Sequence, residues 1–100
     1  MKQARFLAPA RREFLAEVAY YNDRESGLGA RFAVAVEEAI KRAIAFPLAG
    51  SPFSGGTRRV FTRGFPFAVV YRPGPEGVVI FAVAHCSRRP EHWRSRVQER

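Results

Sequence analysis

Arginine is the residue type that offers chemistry in this chain. Arg58, Arg59 and Arg63 cluster on one short segment, Arg72 follows, and Arg88 and Arg89 stand just past a long apolar run. A guanidinium is a planar, two-pronged donor that matches carboxylate and phosphate oxygens, where an ammonium is a point charge. Only Lys2 and Lys41 are lysines among 17 basic residues, against 9 acidic ones, and the formal net charge is +8 at pH 7. Such a balance points to an anionic partner, nucleic acid or acidic protein. The alternative is a surface that arginine merely keeps soluble.

Other reactive types are few. His85 adjoins the last arginines and can give or take a proton near neutral pH; alternatively its imidazole hydrogen-bonds nearby backbone and closes a sheet. Cys86 is the one cysteine, so no intrachain disulfide and no four-cysteine zinc site can form. Nothing near it completes a thiol nucleophile, and a lone thiol is more often buried packing. No metal and no cofactor is expected. Trp93 either packs its ring on a sheet or stacks on a partner, and Tyr20 and Tyr21 read as helix-packing residues.

These side chains need elements to hold them. The 100 residues are 47% hydrophobic and 13% aromatic, enough for one domain with a real core over 1–100 and too little for a Rossmann or TIM-barrel catalyst. Arg5–Ala8 reads as a first strand ended by Pro9. From Ala10 to Arg24, Phe14, Val18 and Tyr21 recur at helical spacing. Leu28 to Phe46 carries a second apolar stripe, including Phe32, Val36, Ala39, Ile40 and Ala43, and Pro47 stops it. The short connection makes the two helices an antiparallel hairpin.

A loop over 47–56 precedes three strands, at 57–62, 67–72 and 78–84, with Pro73–Gly77 as hairpin turn. A short polar helix is expected from Pro90 to Gln98. The order is β-α-α-β-β-β-α: an α+β fold with a four-stranded antiparallel sheet, covered on one face by the helical hairpin and partly open on the other. Alternation sends Arg58 and Arg59 to opposite faces, so one of them points at the open face. There it contacts phosphate or acidic side chains, or serves as a charged guard on an edge strand. Arg72 ends a strand and reads as solvated. No apolar run approaches the ~20 residues of a membrane span and the N-terminus lacks a signal-peptide core, so the expected location is the cytoplasm.

The pattern Phe14, Tyr20-Tyr21, Leu28-Gly29, Arg31-Phe32, Val36-Glu37 and Ala39-Ile40 resembles the helical half of RelE/ParE-superfamily toxins. Phe65-Pro66-Phe67, Val70-Tyr71-Arg72, Ala82-Val83-Ala84-His85 and Arg88-Arg89-Pro90 with Trp93 resemble their middle hairpin and terminal signature. The resemblance spans nearly the whole chain. It implies a toxin of a type II toxin–antitoxin pair, neutralised by a cognate acidic antitoxin. In the ParE branch the target is DNA gyrase; in the RelE branch the toxin cleaves mRNA in the ribosomal A site.

If this chain follows the ribonuclease branch, the resemblance places catalysis on Arg58, His85, Arg88 and Arg89, because cleavage builds charge on a phosphate that needs cations. That branch also carries a tyrosine near the terminal helix. This chain has Trp93 there, and an indole is no general acid or base. His92 is one residue off. The departure favours the ParE branch. The expected contact set for target or antitoxin is then Arg58, Arg59, Arg63, Arg72, Arg88, Arg89 and Trp93. A plain nucleic-acid-binding module remains the reading from charge alone. An antitoxin helix or added strand is expected at the helical hairpin or the sheet edge.

Overall fold

The computed structural model describes residues 2–87 together with Arg89, Trp93, Ser95 and Arg96. Strand β1 is Gln3–Phe6, helix α1 is Ala8–Arg24 and helix α2 is Leu28–Ala45. Strands β2 (Ser51–Pro52), β3 (Arg58–Phe61), β4 (Phe67–Gly74) and β5 (Gly77–His85) follow, with a single 3-10 turn at Ser54–Gly56. The sheet runs β1-β5-β4-β3-β2.

Two features differ from the sequence expectation. The sheet has five strands, because the loop after α2 contributes β2, which pairs Ser51 with Arg59 and Pro52 with Arg58. A two-residue strand is too short to show alternation. The sheet is also mixed: β1 lies parallel to β5, with Gln3 opposite Gly77 and Phe6 opposite Ile80. The meander β3-β4-β5 is antiparallel as expected. The terminal helix expected over 90–98 lies outside the described residues except at Trp93, Ser95 and Arg96.

The helices form for ordinary reasons. Pro9 sits in the first turn of α1, where its missing N–H costs nothing. The buried stripe of α2 is Phe32, Ala35, Val36, Ala39, Ile40 and Ala43, spaced to face the sheet. Gly29 lets the helices touch: a methyl there would strike the Val18 carbonyl of α1. Between helices and sheet lies the main core, with Phe32, Val36, Phe67, Val69, Tyr71, Ile80 and Val83.

The other face carries its own small cluster of Val70, Phe81, Ala82, Ala84 and Trp93, flanked by Leu7, Phe53 and Val79. A bulge makes it possible. Val70 pairs with Ala82 and Tyr71 with Ile80, leaving Phe81 unopposed. The extra residue resets the alternation of β5, so Ile80 and Val83 face the helices while Phe81 and Ala82 both face the other way. That face is therefore less open than the sequence implied, since Trp93, 1% exposed, covers part of it.

Candidate partner-binding face

Two residues of β3 with the same charge do different work. Arg58 stands opposite Tyr71, on the helix side. Its Nη1 donates to the carbonyls of Leu48 at 2.9 Å and Gly50 at 2.8 Å, so it staples the loop after α2. The phenol of Tyr71 reaches the same loop, donating to the Pro47 carbonyl at 2.7 Å. Burial pushes the Tyr71 phenol above its ordinary ionisation range, outweighing the nearby Gly50 backbone and Arg58.

Arg59 stands opposite Val70, on the face away from the helices. Its guanidinium carbon lies 4.0 Å from the Phe53 ring centroid and 5.0 Å from that of Phe61. Phe53 in turn lies 5.5 Å from Trp93, centroid to centroid. Arg72 shares this face. Its guanidinium carbon is 5.5 Å from the Phe81 ring, and its Nη2 donates to the Gly55 carbonyl at 3.0 Å. Arg59 and Arg72 thus flank the segment Phe53–Gly56.

A third guanidinium joins them. Ala4 and Phe6 of β1 pack on the main core, so Gln3 and Arg5 point the other way. Arg5 pairs with Val79, and Val79 pairs with Arg72, which sets Arg5, Val79 and Arg72 in one row across three strands. Sequence reasoning missed Arg5. Its signal is the alternation Gln3-Ala4-Arg5-Phe6, of which a strand begun at Arg5, two residues late, keeps only half. Phe53 and Phe61 were missed as well, although Phe61 shares a face with Arg59 by simple alternation.

The remaining candidates are scattered. Arg63 is exposed beside α2, near Ala30, Val34, Glu38 and Phe65. His85 pairs with Phe67 on the helix side, edge-on to that ring at 5.3 Å. Its Nδ1 accepts the Ser87 backbone N–H at 3.1 Å and lies 2.9 Å from Ser87 Oγ, while Glu17, Tyr20, Tyr21 and Arg24 of α1 complete the groove around it. Burial, and then the Glu17 carboxylate, raise the Tyr21 phenol above its ordinary range.

Arg58 and His85 are not brought together: their partners Tyr71 and Phe67 are four positions apart on β4, about 13 Å at ~3.3 Å per residue. Arg89 is exposed, and Arg88 and His92 lie outside the described residues. Cys86 is exposed rather than buried, because it follows the last residue of β5 in the turn that leaves the sheet; its backbone N–H donates to Pro66. Trp93 is a packing residue in this structure, with almost no surface to offer.

Among the described residues no group of three or more His, Cys, Asp or Glu side chains is placed to hold a metal ion, and no helix is long and apolar enough to cross a membrane. What the far face offers is three guanidinium groups, Arg5, Arg59 and Arg72, set among aromatic and aliphatic side chains. Such a surface recognises acidic groups by edge-on hydrogen bonds while burying apolar area around them.

No curated protein matches the sequence. Among solved structures, one described as a chromosomal ParDE TA system from P. aeruginosa superposes with a TM-score of 0.72 at 18% identity, covering 85% of this chain and 96% of that one. This likeness concerns the fold: the helical hairpin over a small sheet is shared. The family model described as ParE toxin of type II toxin-antitoxin system, parDE, matches residues 4–90, from β1 past the end of β5. By that match, over a fold of the same kind, the chain belongs to the ParE toxin family of type II toxin–antitoxin systems.

Proposed function

We propose that this toxin arrests growth by acting on DNA gyrase, in the cytoplasm, and is held inactive by a cognate acidic antitoxin that docks on the face carrying Arg5, Arg59 and Arg72. The family match over 4–90 supports the toxin and its class of partner. The observation that carries the docking site is the row Arg5–Val79–Arg72 with Arg59 beside it, cations on a chain of net charge +8. The ribonuclease alternative draws no support from the geometry, since Arg58 is spent on loop carbonyls and His85, though on the same helix side, sits at the other end of β4, away from the face bearing Arg5, Arg59 and Arg72.

Purified chain added to gyrase and relaxed plasmid is expected to block supercoiling, and added antitoxin to restore it. Undiminished supercoiling at saturating chain, together with new codon-phased 5′ ends in the transcripts of expressing cells, would turn the reading toward mRNA cleavage.

A further inference from the structure

The geometry points to a built receptor for a single carboxylate at Arg59, with Phe53, Phe61 and Trp93 as positioning residues and an acidic, partly apolar polypeptide segment as the ligand. The inference rests on the docking face proposed above and specifies which of its arginines reads the partner and how.

Four side chains form one continuous stack across that face. Trp93 lies 5.5 Å from Phe53, Phe53 lies 4.0 Å from the Arg59 guanidinium carbon, and Phe61 lies 5.0 Å beyond it. The guanidinium is held between two ring faces. Ring quadrupoles attract it there, and the rings strip water from both of its faces. Its Nε is buried without any hydrogen-bond partner, and no carboxylate within ion-pairing distance compensates its charge among the described residues. A half-buried guanidinium whose Nε is buried and unpartnered is costly to hold unless something outside supplies an anion to the rest of the group. Only the Nη edge remains open to an anion. A group approaching that edge meets donors whose plane is already fixed, so little conformational entropy is lost on binding.

The choice of carboxylate over a nucleic-acid backbone follows from the neighbours. A phosphate track needs successive cations. On this face Arg72 is already bonded to the Gly55 carbonyl, and Arg5 stands three strands away from Arg59, on β1, so the cations do not follow one another as a backbone track requires. Around Arg59 the surface is instead apolar, with Phe61 44% exposed and Val79 half-buried. One anchoring charge ringed by apolar side chains suits a segment that alternates acidic and aliphatic residues.

Trp93 is the only tryptophan in the chain and sits at the end of the stack, so its emission reports on the site. Full-length chain is titrated with a short synthetic peptide alternating glutamate and leucine, with its glutamine counterpart, and with a short single-stranded RNA. The glutamate peptide alone is expected to give a saturable change in Trp93 emission. Arg59→Lys, which keeps the charge but loses the planar fork, and Phe61→Ala, which frees the guanidinium, should each weaken it by roughly tenfold or more. Phe61→Tyr should keep it, and the helical circular dichroism of all three variants should match the parent.

Saturation by the RNA and not by the glutamate peptide would overturn the proposal. So would Arg59→Lys or Phe61→Ala variants that bind the peptide as tightly as the parent. Growth arrest on induction and its relief by the antitoxin are read separately. A parent chain that arrests growth while its Arg59→Lys variant binds peptide unchanged would sink this assignment and leave the proposed function standing.

Discussion

The Arg96 guanidinium meets the Glu13 carboxylate end-on, Nη1 to Oε1 at 3.0 Å and Nη2 to Oε2 at 2.8 Å, across 83 positions of chain. The pair finishes the edge of the sheet. β1 stops pairing at Ile80, and beyond it Arg96 Nη1 donates to the Phe81 carbonyl at 2.9 Å while Glu13 accepts the Val83 N–H at 3.4 Å. The same contact holds the chain near Trp93 against the far face. Both side chains are mostly buried, at 14% and 20% exposure. Glu13→Gln and Arg96→Ala should therefore each cost about 2 kcal/mol, less than a fully buried pair because some solvent screening remains. Urea denaturation checks the loss, and a red shift of Trp93 emission before unfolding checks its location. An unchanged midpoint would mean the pair is ornamental.

Alkaline stability should depend on Tyr71. Burial raises its phenol above the ordinary value of 10.0, so the folded state favours the protonated form. In the unfolded chain the phenol ionises near 10, and above that pH the native state binds more protons than the unfolded one. Stability is then fully present below pH 10 and falls as pH rises toward the folded value. Tyr21 is raised in the same direction and adds to the effect. Tyr71→Phe should lose about 1 kcal/mol at neutral pH, because the Pro47 carbonyl loses its donor. It should also flatten the fall in stability above pH 10. Tyrosinate absorbance during alkaline titration gives the comparison, and a curve parallel to the parent's would contradict the assignment.

Gly77 opens β5 at a backbone conformation of φ +138°, and a methyl there would land on the Gln3 carbonyl. Gly77→Ala combines backbone strain with a clash against β1, each worth about 1–3 kcal/mol. The melting temperature should drop by roughly 10 °C or more. Backbone amide exchange should show β1 loosening first, while the α1–α2 hairpin stays protected. Uniform loss of protection would show that β1 and the helices melt as one unit.

Arg58 of β3 and Arg72 of β4 should separate cleanly on mutation. Arg58→Ala removes two hydrogen bonds to loop carbonyls and should cost about 1–2 kcal/mol of stability with little effect on partner association. Arg72→Ala gives up one bond at an exposed site, so stability should change by under about 1 kcal/mol, and its effect should fall on partner association. Thermal melts beside kinetic binding traces decide the matter. Slower association from Arg58→Ala at unchanged stability would reverse the roles.

How much of this was legible beforehand follows from the range of each interaction. The helices were, since Phe14, Val18 and Tyr21, and then Phe32, Val36 and Ile40, repeat at helical spacing, with Pro9, Gly27 and Pro47 as punctuation. So was the β4–β5 hairpin, from Pro73–Gly77. Alternation correctly split Arg58 from Arg59 but could not say which faced the helices, because that depends on pairing with Tyr71 and Val70. The bulge at Phe81 left no mark in a run of seven apolar residues. Ser51–Pro52 was too short to signal a strand, and nothing local to Glu13 or Arg96 announces that they meet. The stack of Trp93, Phe53, Arg59 and Phe61 draws on three separate segments, so no local pattern encodes it.

The central claim is that the face bearing Arg5, Arg59 and Arg72 receives an acidic partner. It is tested most directly by the association rate constant between this chain and the antitoxin expected from the adjoining reading frame. The triple charge reversal Arg5→Glu, Arg59→Glu and Arg72→Glu should slow association by about tenfold or more at low salt, with the gap closing as salt rises. The control reversal Arg31→Glu with Arg63→Glu, on the α2 side, should leave the rate near the parent's. Equal rates for the triple variant and the parent, or a larger effect from the control, would place the docking surface elsewhere and contradict the account.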